Sequence, residues 1–155
     1  MEMMRDFIKE YVLESHQSVA DVGSLVVNGQ NDSYRSLFME HDYTGIDIVA
    51  GRNVDIVVGQ YKWSQLKDET YDIVVSGQML EHCKRFWIVT KEMKRILKRG
   101  GLMCIIAPWR ASKHKFPVDC WRFMPDGMVD IGEWLNMAVL KTVRKKDDCI
   151  GIFRK

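Results

Sequence analysis

Met4, Phe7, Ile8, Tyr11 and Val12 recur at i, i+3, i+4, i+7 and i+8, which lays one apolar stripe along a helix expected to lie against a sheet edge. The period then changes. Residues 19–22, 43–49, 53–58, 71–76 and 102–107 form short, nearly continuous apolar runs rich in β-branched side chains. Polar or helical stretches separate them, and that pattern predicts a parallel sheet covered on both faces. After the first run, Asp32 or Ser33 offers a cap and Tyr34, Leu37 and Phe38 an inner face for a short helix. Residues 85–99 carry the longest helical signal, with Val89, Met93, Ile96 and Leu97 inward and Gly100-Gly101 as the expected C-cap. Pro125 suits the first turn of another helix that turns Met128, Ile131 and Leu135 inward. Two last runs, 138–143 and 149–153, flank the polar RKKDD at 144–148 and read as an antiparallel hairpin. The fold class is α/β: a mostly parallel seven-stranded sheet, helices on both faces and an antiparallel C-terminal hairpin.

At 155 residues the chain is expected to fold as one domain around one core, leaving no length for a separate substrate domain. Within it, 1–17 is the N-terminal packing helix, 108–123 a substrate-side loop and 137–153 the closing hairpin. Lysine and arginine number 23 against 21 aspartates and glutamates. This near balance, with the signs interspersed, calls for neither nucleic acid nor a membrane surface as partner. Lys91, Lys94, Arg95 and Lys98 share the outer face of the 85–99 helix, where a solvated face near a helix C-terminus accounts for them. The four cysteines, Cys83, Cys104, Cys120 and Cys149, form no C-x-x-C pair, and neither end carries a signal peptide or a membrane-length apolar run. A reduced, cytoplasmic protein is expected. His82 with Cys83 and His114 with Cys120 match no zinc spacing, so no metal is expected.

The chemistry concentrates at strand ends. The stretch SVADVGSLVVNG, 18–29, breaks from strand to loop at Gly23, and YTGIDI, 43–48, brings a carboxylate, Asp47, to the end of the next strand. A glycine at such a break lets a ligand approach bare backbone, and the acid can accept both hydroxyls of a ribose. A dinucleotide would require G-x-G-x-x-G, but Leu25 occupies the second glycine position, and no P-loop occurs. The pattern selects a cofactor with a ribose and a base but no phosphate. The aperiodic segment 108–123, PWRASKHKFPVDCWRF, follows a core strand at the end where open α/β sheets bind ligands.

VADVGSLVVNG, SYRSLF, YTGIDI, YDIVVSGQMLEH, MKRILKRGGLMCIIAP and FPVDCWRFMPDG occur in an order and spacing that resembles the class I S-adenosylmethionine-dependent methyltransferases. The narrower likeness is to small, type 11-like methyltransferase-domain proteins. The resemblance spans residues 19–127 and implies a Rossmann-like sheet. It further implies that Asp21, Gly23 and Ser24 surround the methionine part of the cofactor, that Asp47 accepts the ribose hydroxyls, and that Ile48 packs against the adenine. Gln60 and Tyr61 fall beside the adenine amino group, Gln60 replacing an acid of the family pattern. Ser76, Gly77 and Gln78 would flank the sulfonium, and Glu81 and His82 start the next helix. Asn28 and Gly29 shape the loop exit, Gly29 with positive φ.

Methyl transfer is an in-line displacement governed mainly by positioning, and an oxygen or nitrogen acceptor is helped by a base within reach. His82, His114 and Asp119 are the candidates, though Asp119 and Arg122 could instead pair to hold the loop. Trp109 and Trp121 could stack on an acceptor or pack as the core of the loop. The expected activity is methyl transfer to a hydroxyl or amine of a small molecule or glycan. Two alternatives stand beside it. One is a catalytically silent cofactor-binding or interaction domain. The other is nucleic-acid methylation, which lacks its usual N/D-P-P-[YFW] motif because SGQM stands at 76–79. So small a chain also leaves room for a homo-oligomer that closes the pocket.

Overall fold

The computed structural model describes residues 1–27 and 33–155. The expectations for Asn28, Gly29 and Asp32 lie outside the described residues. Seven strands, β1 (Ser18–Val22), β2 (Asp42–Asp47), β3 (Ile56–Val57), β4 (Tyr71–Gly77), β5 (Leu97–Pro108), β6 (Ala138–Lys145) and β7 (Asp148–Arg154), form one sheet in the order β3-β2-β1-β4-β5-β7-β6. The strands are parallel from β3 to β5, and β7 runs antiparallel to both β5 and β6. Strand order reverses between β1 and β4, the switch point where doubly wound sheets leave a crevice.

Alternation along the central strands builds two apolar layers. Val19, Ile73, Val75, Leu102, Cys104 and Ile106 turn to the face covered by α1 (Glu2–Tyr11), whose Met4 and Phe7 are buried there. Ala20, Val74, Met103, Ile105 and Ala107 turn to the other face, packed under Val89, Met93 and Ile96 of α2 (Phe86–Ile96) and Met128 and Ile131 of α3 (Pro125–Trp134). Pro125 opens α3 as expected. Among the described residues no helix is long and apolar enough to cross a membrane.

Two local expectations are corrected and a third is refined. The helix predicted over 85–99 ends at Ile96 rather than at the glycine pair. The Arg95 and Ile96 carbonyls accept the Glu69 and Thr70 amides at 3.0 and 2.8 Å, and Leu97 already pairs with Tyr71. Gly100, at φ +78°, and Gly101 lie within β5, exchanging backbone bonds with Lys155 at 2.8 and 3.1 Å. The strand predicted over 53–58 keeps only Ile56–Val57, because Asn53 is left-handed at φ +72° and the Asp55 carboxylate accepts the Gly45 amide at 2.7 Å. The short helix expected after β1 forms with Ser33 as its cap, the hydroxyl accepting the Arg35 amide at 3.1 Å, and differs only in being a 3₁₀ turn, Tyr34–Leu37.

Candidate functional site

The carboxyl ends of β1, β2 and β4 meet at the switch point. β1 stops at Gly23, whose φ of +81° and lack of a side chain are both required: a Cβ there would stand 2.6 Å from the Met79 Cβ. The Gly23 and Ser24 amides both donate to the Ile46 carbonyl, at 2.9 and 3.2 Å, which turns the loop over the end of β2. There the Asp47 carboxylate accepts the Leu25 amide on one oxygen and the Val49 amide on the other, each at 3.1 Å. A carboxylate has about four acceptor positions, so with respect to the described residues two remain for other donors. The Leu25 side chain lies against Gly51, where a Cβ would collide with it.

Behind the loop lies a polar network. Asp21 is buried and accepts a hydrogen bond from the Tyr43 hydroxyl. Burial pushes its carboxyl up to about 7, with the Tyr43 bond opposing the rise. The Asn53 amide donates to Tyr43 Oη at 3.2 Å and to the Ser24 carbonyl at 2.9 Å, and Arg35 Nε donates to Asn53 Oδ1 at 2.8 Å. The Ser24 hydroxyl donates to the Asn53 carbonyl at 3.1 Å.

A cavity of about 490 Å³ opens beside this network. Of the residues expected around a cofactor, Asp21, Gly23, Ser24, Gly77 and Gln78 line it, together with Tyr34, Asn53 and the first residues of α1. A Cβ on Gly77 would come within 2.7 Å of the Tyr34 ring. Asp47 and Ile48 lie outside the cavity wall, Ile48 half exposed. Gln60 is exposed, and Tyr61 packs against the α2-side core below Arg85. Ser76 is buried and its hydroxyl has no partner among the described residues. Gln78 is left-handed at φ +55°. Its amide donates to the Ile106 carbonyl and its side chain to Asp148, both at 2.9 Å. Such a conformation costs a non-glycine residue about 1–3 kcal/mol and gathers at functional sites.

Beyond β4 a second polar cluster forms. The 3₁₀ turn Leu80–His82 buries Glu81 completely, and burial pushes its carboxyl up. His82 and His114 both turn Nε2 toward Glu81 Oε1, at 3.7 and 3.8 Å. His114 belongs to segment 108–123, which folds back over the turn. The Cys120 amide donates to the Glu81 carbonyl at 2.8 Å, the Trp121 indole to the Cys83 carbonyl at 2.8 Å, and the Phe123 amide to the Pro108 carbonyl at 2.9 Å. Asp119 accepts from Arg122 at 2.5 and 2.9 Å and from the His114 amide at 2.9 Å. The Arg122 guanidinium holds its carboxyl well below the usual range. Trp109 donates to the Lys146 carbonyl at 2.9 Å, with the Arg110 and Arg144 guanidinium groups over its ring. Trp121 packs edge-on against Phe86 and Trp87 beside a surface concavity of about 500 Å³. Cys83 donates to the Met79 sulfur and Cys120 is exposed.

The basic residues expected on one helix face are engaged within the chain. Lys94 donates to the Leu135 carbonyl, Arg95 pairs with Glu92 and Asp68, Lys98 pairs with Asp72, and Lys91 lies over the Trp134 ring.

Residues 21–105, over half of the chain, match the family described as "Methyltransferase domain". The chain belongs to that family. It is a methyltransferase. Solved structures share its fold. A SAM-dependent methyltransferase from Aquifex aeolicus is 19% identical at a TM-score of 0.72, over 96% of this chain and 87% of that one. One from Archaeoglobus fulgidus is 15% identical at 0.70, over 99% and 94%. The Burkholderia thailandensis 1,6-didemethyltoxoflavin-N1-methyltransferase, with its substrate and S-adenosylhomocysteine bound, is 13% identical at 0.71, over 89% and 70%. A methyltransferase in complex with the Haloferax volcanii Trm112 activator is 13% identical at 0.71, over 97% and 87%. No curated protein matches the chain.

The residues of this methyltransferase are compatible with S-adenosylmethionine, the cofactor that its sequence motifs imply. The cavity has the volume of a small-molecule site. Gly23 leaves backbone bare where a Cβ would intrude, Asp47 keeps acceptor capacity beside it, and the Ser76 hydroxyl is an unpartnered buried group at the end of β4.

Proposed function

We propose that this methyltransferase transfers a methyl group to a hydroxyl or amine of a small molecule or glycan. The observation that carries the reading is the convergence of Asp21, Gly23, Ser24, Gly77 and Gln78 on one cavity at the strand-order switch, with segment 108–123 folded over the turn that follows β4. When bound, S-adenosylmethionine supplies an electrophilic methyl group on a sulfonium. The chain's own work is to bind, orient and exclude water. In this reading the open acceptor positions of Asp47 take the ribose hydroxyls and Ile48 lies along the adenine, with Gln60 and Tyr61 at its amino edge. Asp21, Gly23 and Ser24 surround the methionine part, and Ser76, Gly77 and Gln78 flank the reacting centre. His82 and His114 form the acceptor side. Asp119, committed to Arg122, clamps the segment rather than taking a proton.

Support for a small acceptor comes from the concavity beside the segment. Trp87, Trp121 and Trp134 supply aromatic faces, and Arg122 and Asp130 a few polar groups, the makeup of a small-molecule site. The internal engagement of the basic side chains argues against nucleic acid.

Calorimetry with S-adenosylmethionine tests the cofactor half. Removing two charge-assisted acceptors in Asp47→Ala is expected to weaken binding by roughly 10- to 100-fold; unchanged affinity would sink the ribose assignment. Transfer of labelled methyl to a panel of hydroxyl- and amine-bearing metabolites and oligosaccharides tests the other half. Tight cofactor binding without turnover would favour a silent binding domain.

A further inference from the structure

We propose that Glu81, His82 and His114 form a binding site for a divalent transition-metal ion. It gathers one carboxylate and two imidazoles whose ligand atoms all lie within 4.8 Å of one another. The decisive group is Glu81. Its side chain has no exposure to solvent, and among the described residues neither carboxylate oxygen has a hydrogen-bond partner. A buried carboxylate is ordinarily paired, hydrogen-bonded or coordinated to a metal, because desolvation without compensation is costly.

The two histidines are oriented as ligands. His82 Nδ1 faces the Val118 carbonyl at 2.6 Å and His114 Nδ1 the Ser112 carbonyl at 3.0 Å. A carbonyl only accepts, so both Nδ1 atoms donate to it, and both Nε2 atoms turn toward Glu81. This is the outer-shell arrangement of metal-bound histidine, one nitrogen anchored on the backbone and the other free for the metal. The spacing is longer than that of a hydrogen-bonded ion pair. A charged imidazole bonded to a carboxylate closes to about 2.8 Å, whereas 3.7 and 3.8 Å leave each oxygen–nitrogen pair unbonded. Ligands about 2.1 Å from a shared tetrahedral ion lie roughly 3.4 Å apart, so each imidazole nitrogen lies only a few tenths of an ångström too far from the Glu81 oxygen.

The donor set selects the ion. Two imidazoles and a carboxylate suit zinc and its first-row neighbours, and three protein ligands leave a coordination position open. His114 is 46% exposed, so that position is reachable from outside. The ion would also tie segment 108–123, which carries His114, to the turn after β4.

Metal uptake without cofactor or acceptor keeps this proposal separate from the methyl-transfer reading. Chelator-treated full-length protein is titrated with Zn²⁺ in a calorimeter and with Co²⁺ in a spectrophotometer. One equivalent of each is expected, with the visible absorption of low-coordinate Co²⁺. Glu81→Gln and His114→Ala are each expected to weaken binding by more than the roughly 10- to 100-fold that loss of an outer-shell partner costs. His114 lies on an exposed segment, so its variant reports even if Glu81→Gln fails to fold. Failure of the wild type to take up either ion, or unchanged affinity in His114→Ala, would overturn the site.

Discussion

Asp21 combines a buried carboxyl with a place on the cavity wall. Burial raises its pKa from an ordinary 3.8 to about 7. Between those values the folded chain holds a proton that the unfolded chain has released. Stability is therefore full below pH 3.8, falls as pH rises through the window, and stays lower above 7. The difference corresponds to about 4 kcal/mol. Asp21→Asn keeps the shape and cannot ionise, so its urea stability is expected to stay level between pH 4.5 and 7.5 where the wild type declines; parallel profiles would refute the assignment. Gly23 and Asp47 were legible in the sequence because strand ends and glycine breaks are local signals, whereas Asp21 followed only from the family resemblance. Tyr34, Asn53 and Glu81 were not. Tyr34 reaches the cavity only because Gly77 leaves room for its ring, Asn53 joins Ser24 to Tyr43, and Glu81 becomes a buried orphan only when segment 108–123 folds over it.

Elements are joined at their far ends as well as at the site. Asp72, near the start of β4, accepts the Ser18 hydroxyl at 2.7 Å and the Gln17 and Ser18 amides at 3.1 and 3.0 Å, and pairs with Lys98 at 2.9 Å. Burial alone would raise its pKa, but the Lys98 and Ser18 bonds outweigh it and bring the value from 3.8 to about 2. A depressed pKa gives stability that is present above 3.8 and lost as pH falls through 2, worth about 2 kcal/mol. Asp72→Asn is expected to lose that much at pH 7 and only a small part of it at pH 2; an equal loss at both, by denaturant titration, would show a packing effect instead. β4 and the second half of β5 were legible because strands buried on both faces read as unbroken apolar runs. The end of α2 was not, because a glycine pair signals a helix cap and a strand irregularity alike, and the pairing of Leu97 with Tyr71 decides between them.

At the scale of the whole molecule, α1 closes one face of the sheet and brings Met1, Glu2 and Met3 to the cavity. Two kinds of contact hold it. Glu2 and Asp6 pair with Lys145 at 2.8 Å and Glu10 with Lys141 at 2.7 Å, all at the surface. Beneath them Met4 and Phe7 are buried against strands β1, β4, β5 and β7. Exposed pairs lose most of their attraction to solvent screening and side-chain ordering, whereas emptying a buried phenylalanine site costs about 3–5 kcal/mol. The apolar contact therefore decides whether α1 stays docked, and the ion pairs fix its register along the hairpin. Lys145→Ala is expected to leave the melting temperature within about 2 °C of wild type, and Phe7→Ala to lower it by about 10 °C. If Phe7→Ala instead melts like wild type while Lys145→Ala does not, charge rather than burial holds the wall of the cofactor cavity, and its shape should then depend on ionic strength.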